Sequence, residues 1–267
     1  MPQLTVSGGT LGYDVVDLAP PWAPARGTIL FHHGLGASRG IWAGWLPALI
    51  DGWRIVRFDM RGHGTSSWPD ATARLDLETL TDDLFAVLDA VGAERAHLVG
   101  ESIGGTIALN AALRAPARVA SLTVSNGAHV GASIQSVQDW QRILSGGGGA
   151  AWSAHMMPGR FFPGAISPAA YRWYETQQAK CSPDVLLRGL AALVGADMAA
   201  RLPGLNLPVL LMHPDDSPFI PVALMAEFRN AVPDARLHVI GRARHGMPFS
   251  HAGVCAGLLR GFLNEVG

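Results

Sequence analysis

Ala96-His97-Leu98-Val99-Gly100-Glu101-Ser102-Ile103-Gly104-Gly105-Thr106-Ile107-Ala108-Leu109 is the stretch from which the fold is read. A short apolar run ends at Val99, two residues intervene, and a helical pattern starts directly after Ser102. That order is a strand, a sharp turn and a helix, and it lifts a serine oxygen above the carboxyl edge of a sheet. Glycines two before and two after the serine let neighbouring backbone pack closely around it. The same Gly-x-Ser-x-Gly spacing recurs at Gly36-Ala37-Ser38-Arg39-Gly40, but Ser38 lies in a loop well beyond its strand, where a helix-capping or loop role is the simpler account. Ser102 is therefore the candidate nucleophile.

Working outward, apolar runs at 28–31, 55–58, 96–99, 121–124, 209–212 and 237–240 alternate with helical patterns at 42–50, 77–91, 105–115, 222–232 and 252–265. This alternation predicts an α/β protein with a mostly parallel sheet and helices on both faces. The first strands, around 4–6 and 11–18, are expected to form an antiparallel edge. The rhythm breaks at 131–207, where Gly146-Gly147-Gly148-Gly149 interrupts helical patterns with no convincing strand. An inserted helical cap over 131–207, on a core made of 1–130 and 208–267, is the expected organisation. The insertion is rich in Trp, Phe, Tyr and Met, and Trp140, Phe161 and Trp173 are its candidate pocket residues.

Composition restricts the partners. With 49% hydrophobic and 15% charged residues the chain can bury a large core, and a formal charge of -1 supplies no basic footprint for nucleic acid or an anionic membrane. No basic leader precedes an apolar run at the N-terminus and no stretch approaches a membrane span, so a cytoplasmic location is the expectation. Two cysteines, Cys181 and Cys255, lack metal-ligand spacing and are expected to be free buried thiols. No metal or organic cofactor is implied, and the expected partner is a small-molecule ester or lactone.

A tetrahedral intermediate needs preorganised N–H donors at its oxyanion. The Ile103 amide, directly after the serine, is one candidate; the Leu35 amide, in His33-Gly34-Leu35-Gly36 after the third strand, is the other. Ten histidines compete for the role of base. His245 has the right position, a short loop after the last strand and just before the C-terminal helix. His213 and His251 read as local hydrogen-bonding residues, and His238 lies within a strand.

Together, His33-Gly34-Leu35-Gly36, Asp59-Met60-Arg61-Gly62-His63-Gly64, Gly100-Glu101-Ser102-Ile103-Gly104-Gly105 and the late His245 resemble the α/β-hydrolase family. The resemblance implies an eight-stranded sheet, a variable cap and the chain order serine, acid, histidine. Ser125-Asn126-Gly127-Ala128 and the length of the insertion look similar to bacterial 3-oxoadipate enol-lactonases and small-molecule esterases. Arg61 and His63 receive no catalytic role, only hydrogen bonding within their loop.

The resemblance also marks a departure. The family's acid position, counted from the seventh strand or back from Pro221, falls on Ser217, and the alternative position at the end of the sixth strand is Asn126, which carries no charge. Asp216 is the expected acid, through a small shift of the loop after Met212-His213; Asp215 and a Ser–His dyad assisted by Ser217 are the alternatives. Arg160, Arg172 and Arg188 are candidate anchors for a substrate carboxylate, against a surface role for each. The expected activity is hydrolysis of a small ester or lactone through an acyl-enzyme on Ser102. Carbon–carbon bond hydrolysis, lyase or cofactor-free oxygenase chemistry on the same residues is the rival, and a non-catalytic ligand-binding homologue is a second.

Overall fold

The computed structural model describes residues 2–68 and 75–266; residues 1, 69–74 and 267, all inside the expected core ranges, lie outside the described residues. Eight strands form one sheet: β1 (Gln3–Val6), β2 (Gly9–Val16), β3 (Thr28–His32), β4 (Arg54–Phe58), β5 (Ala96–Glu101), β6 (Val119–Ser125), β7 (Val209–Pro214) and β8 (Ala235–Ile240). Their spatial order is β1-β2-β4-β3-β5-β6-β7-β8. β1 pairs antiparallel with β2, and β2 with β4, which makes the expected antiparallel edge, while β4 and every strand beyond it pair parallel. Parallel pairing sends the loops after β3, β5, β7 and β8 to a single edge, where the chemistry-bearing residues of the sequence therefore converge.

The helices are α1 (Leu77–Ala90), α2 (Ile103–Arg114), α3 (Val137–Arg160), α4 (Pro168–Ala179), α5 (Pro183–Val194), α6 (Val222–Ala231), α7 (Met247–Ser250) and α8 (Ala252–Val266). Alternate residues of the central strands enter opposite layers of the core. Leu30, Leu98 and Leu211 join the α1, α2 and α6 side, whereas Phe31, Val99 and Met212 join Trp42, Trp45 and Leu259 on the α8 side. Burial on both faces explains why β3, β5 and β7 read as continuous apolar runs. The helix expected at 42–50 is instead a 3-10 segment, Arg39–Ala48; Pro47 within it has no N–H to continue an α-helical ladder.

Between β6 and β7 the chain runs through α3, α4 and α5. Its two ends are clamped together at their root by a bridge between Val130 and Asp197, with Gly131 N donating to Ala196 O at 2.7 Å and Met198 N to His129 O at 2.9 Å. Ser167-Pro168 and Ser182-Pro183 start α4 and α5: each serine oxygen accepts an amide of the first turn, and each proline sits where no donor is needed. The glycine run interrupts α3 as the sequence suggests, so that Val137–Arg160 is two helical pieces joined across a kink. Only Gly148 (φ 71) leaves helical geometry, and the helix resumes beyond it with Trp152, Met156 and Met157 buried. Among the described residues no helix is long and apolar enough to cross a membrane, and both cysteines are free and buried.

Candidate active site

Ser102 joins β5 to α2 in a backbone conformation that L-residues rarely adopt, φ 54 and ψ -123. Such a conformation costs roughly 1–3 kcal/mol and persists only where the surroundings enforce it. Here they do: Ser102 N donates to Ser125 O at 2.9 Å, and the Gly105 and Thr106 amides of the first helical turn return to Ser102 O. A side chain at Gly100 would strike the Gly104 carbonyl, and one at Gly104 the His32 carbonyl, so both small residues are steric requirements of the turn. The turn holds the Ser102 oxygen at the N-terminus of a helix buried along most of its length.

His245 enters from the loop after β8. Its Nε2 lies 3.2 Å from Ser102 Oγ. The loop is fixed at three points: His245 N donates to Gly159 O at 3.3 Å, Asn126 Nδ2 donates to His245 O, and the Phe219 ring meets the imidazole edge-on at 4.9 Å. Asn126, expected only to be an uncharged stand-in, thus orients the histidine backbone. Burial, then the nearby Arg160 charge, then His213, hold the His245 imidazole well below its ordinary range, so it is neutral near pH 7.

The expectation for Asp216 is corrected by the geometry. Asp216 is exposed and its carboxylate pairs with Arg244 Nε at 3.0 Å, while Asp215 accepts the backbone amides of Arg242 and Ala243 at 2.8 and 3.0 Å. Both carboxylates are held by the loop after β8, and the side chain beside His245 Nδ1 is Ser217, whose Oγ is 3.4 Å away. The same oxygen lies 3.4 Å from Phe219 N and 3.3 Å from Ile220 N, so it is shared among three long contacts.

The loop at 33–36 is held on every side. His33 Nδ1 donates to Gly34 O at 2.8 Å and its Nε2 accepts from Met60 N at 2.9 Å. Gly36 N donates to His63 Nε2 at 3.0 Å, while His63 Nδ1 donates to Arg61 O at 2.9 Å. Arg160 donates to Leu35 O at 2.9 Å. These partners assign both imidazoles as neutral tautomers carrying the proton on Nδ1. The two peptides flanking Leu35 are therefore fixed, whereas the Leu35 and Ile103 amides have no hydrogen-bond partner among the described residues. His63 does more than its loop alone suggested, because it reaches across to Gly36. Arg61 pairs with Asp83 and reaches Ser7 O, away from Ser102.

Above Ser102 lies a cavity of about 20 Å³ lined by Leu35, Ser102, His245, Arg160 and a set of apolar side chains. Trp140, a candidate from the sequence, is among them. Phe161 and Trp173 are not: Phe161 borders an outer cleft of about 530 Å³ and packs edge-on against Tyr174, and Trp173 stacks on Phe249 at 5.5 Å. Trp152, Met156 and Phe219 take their places. The signal for these was present in the sequence, since Trp152, Met156 and Arg160 are spaced by four and share one face of α3. Arg172 borders the outer cleft, and Arg188 pairs with Asp184 at 3.1 Å and lies over Trp68. Among the described residues no cluster of three or more His, Cys, Asp or Glu side chains could hold a metal ion.

The buried histidines predict an acid-sensitive fold. Burial lowers His32, His97 and His213 from 6.5 to about 4. Between those limits the unfolded chain binds protons that the folded chain does not, so unfolding free energy rises with pH across this window and levels off above it. Each imidazole contributes up to ~3 kcal/mol that is lost at the acid end. Urea midpoints should therefore fall from pH 7 through 5.5 to 4.5, and a pH-independent midpoint would contradict neutral buried imidazoles.

Residues 27–148 match the family profile described as alpha/beta hydrolase fold. A protein of Caulobacter sp. (strain K31) named "Putative carbamate hydrolase RutD" is 30% identical over 230 residues, 84% of this chain and 85% of the relative. The protein of that name in Escherichia coli O1:K1 / APEC is 29% identical over 237 residues, 85% of this chain and 86% of the relative. Among solved structures, the enol-lactonase from Burkholderia xenovorans LB400 matches with a TM-score of 0.89 at 23% identity, covering 98% of this chain and 100% of that one. A thermophilic esterase from Thermogutta terrifontis matches with a TM-score of 0.87 at 18% identity, covering 100% and 99%. The eight-stranded sheet, the serine turn and these relatives agree: the chain belongs to the α/β-hydrolase fold family, a family of hydrolases.

Proposed function

We propose that the protein hydrolyses a carboxylic ester or lactone of a small molecule through an acyl-enzyme on Ser102. The observation that carries this reading is the 3.2 Å contact between Ser102 Oγ and His245 Nε2 at the head of α2. A neutral imidazole at that distance can take the serine proton as the oxygen attacks a carbonyl. The Leu35 and Ile103 amides then receive the developing oxyanion, and each such donor is worth ~3 kcal/mol. His245 returns the proton to the departing alcohol, and a water activated by the same imidazole releases the acid. In this reading 131–207 forms a cap. A cavity of about 20 Å³ has room for about one water, so substrate enters when α3 to α5 part from the core.

The relatives named carbamate hydrolases favour a second substrate arm, in which a carbamate carbonyl meets the same nucleophile and leaves a carbamoyl group on Ser102. A fluorophosphonate probe, followed by peptide mapping, should mark Ser102, and a panel of aryl esters, lactones and carbamates should be cleaved with a burst of one equivalent per chain where acyl release is slow. Absence of labelling together with absence of turnover across the panel would reject the reading.

A further inference from the structure

We propose that Arg160 is a carboxylate anchor, so that the substrate cleaved at Ser102 carries a carboxylate held by the Arg160 guanidinium. The inference rests on the ester-hydrolysis reading above and adds the chemical class of the substrate. Arg160, the last residue of α3, is 2% exposed and lines the same cavity as Ser102 and His245. The rest of that lining is dominated by apolar side chains such as Trp140, Trp152, Met156 and Phe219. A single cation in an apolar cavity is the usual means of fixing one charged end of a ligand.

Its donors are unequally used. Nε donates to Gln178 Oε1 at 2.6 Å and an Nη2 hydrogen goes to Leu35 O at 2.9 Å, so one edge of the fork is anchored and the group cannot swing away. Nη1 is buried and makes no hydrogen bond. The nearest carboxylate, Glu101, has Oε1 3.6 Å from Nη1, at ion-pair distance but beyond a hydrogen bond. Burial pushes the Glu101 carboxyl up, against the Arg160 charge and the Gly34 amide, which both draw it down. Glu101 stands at ion-pair distance without a hydrogen bond to Nη1, so that donor is left for a second carboxylate, with the kind of charge-assisted contact that arginine makes well.

The anchor also bears on the chemistry. The Arg160 charge is one reason the His245 imidazole resists protonation. A substrate carboxylate on Arg160 offsets that charge, so the imidazolium formed during attack becomes less costly. The carboxylate should thus raise kcat as well as lower KM. Arg160 further braces the Leu35 peptide, so its removal slows every substrate, and the discriminating quantity is a ratio.

The test compares the aryl monoester of glutaric acid with the aryl ester of pentanoic acid. The wild-type protein should prefer the anionic ester by at least ~10-fold in kcat/KM, the scale of one charged hydrogen bond. Arg160→Gln should bring the ratio near one, and Arg160→Lys should retain part of it. In Ser102→Ala, glutarate should quench the fluorescence of Trp140 and Trp152, and Arg160→Gln should remove that response. Glu101→Gln should tighten glutarate binding by deleting the competing carboxylate. Arg160-dependent glutarate binding without ester turnover would keep the anchor and reject the hydrolase reading. Equal rates on the two esters, or glutarate binding that is absent, indifferent to Arg160→Gln or weakened by Glu101→Gln, would overturn the anchor.

Discussion

Ser102→Ala should reduce turnover by at least ~10⁴-fold while leaving the fold intact, because a serine hydrolase without its nucleophile retains only what binding and oxyanion stabilisation provide. The backbone of the turn does not depend on the missing oxygen. Its hydrogen bonds run through Ser102 N and O, and alanine carries the same Cβ into the same strained φ. The side-chain oxygen contacts His245, so removal leaves one buried imidazole nitrogen without a partner, a cost of about 1–3 kcal/mol. Ser38→Ala, in the other Gly-x-Ser-x-Gly stretch, should retain activity. Ser38 precedes a 3-10 segment and its side chain makes no capping hydrogen bond. Turnover of both variants, measured at equal folded fraction by circular dichroism, separates the two serines. An active Ser102→Ala beside a dead Ser38→Ala would remove the basis of the mechanism.

What could be read from the sequence was local. The serine turn is specified by neighbouring residues, a buried strand before it and a helix after it, so its geometry follows from a dozen positions. The antiparallel edge and the run of helices between β6 and β7 were legible for the same reason, as changes in the rhythm of apolar runs. What required the structure was set by distant partners. Asp215 and Asp216 are directed by amides and a guanidinium at Arg242, Ala243 and Arg244, on a loop from another strand. Which aromatic of the insertion faces Ser102 depends on the phase of α3, and the kink at Gly148 contributes to that phase. Composition singled out Trp140, Phe161 and Trp173 together, but only the first has the azimuth that reaches the cavity. The sequence did not separate Arg160 from Arg172 and Arg188 as an anchor or a surface residue, because nothing near it in the chain announces Glu101 or Leu35.

Ser217→Asp should raise turnover by roughly 10- to 100-fold, and Asp216→Asn should leave it near native. The scale comes from serine proteases, where exchanging the triad acid for an amide lowers turnover about 10⁴-fold, only part of which a newly placed carboxylate is expected to recover. The physical argument concerns the His245 tautomer. To act as base, the imidazole must carry its proton on Nδ1 and leave Nε2 free for the Ser102 hydroxyl. A carboxylate can only accept, so it enforces that tautomer and stabilises the imidazolium. The Ser217 hydroxyl can donate as well as accept, it is neutral, and its contacts to His245 Nδ1, Phe219 N and Ile220 N are all 3.3–3.4 Å. Hydrogen bonds to charged groups contribute about 1.5–3 kcal/mol against about 1 for neutral ones. An aspartate at 217 can accept the same two amides and present its other oxygen to Nδ1. The added negative charge should also lift the His245 imidazole from its depressed range, moving the acid limb of kcat/KM to higher pH, a shift that improved folding alone would not produce. The measurement is kcat/KM against pH for the native protein, Ser217→Asp, Ser217→Ala, Asp215→Asn and Asp216→Asn. A large loss in Asp216→Asn, with neither a gain nor a displaced limb in Ser217→Asp, would show that the loop after β7 rearranges during turnover and delivers the Asp216 carboxylate after all.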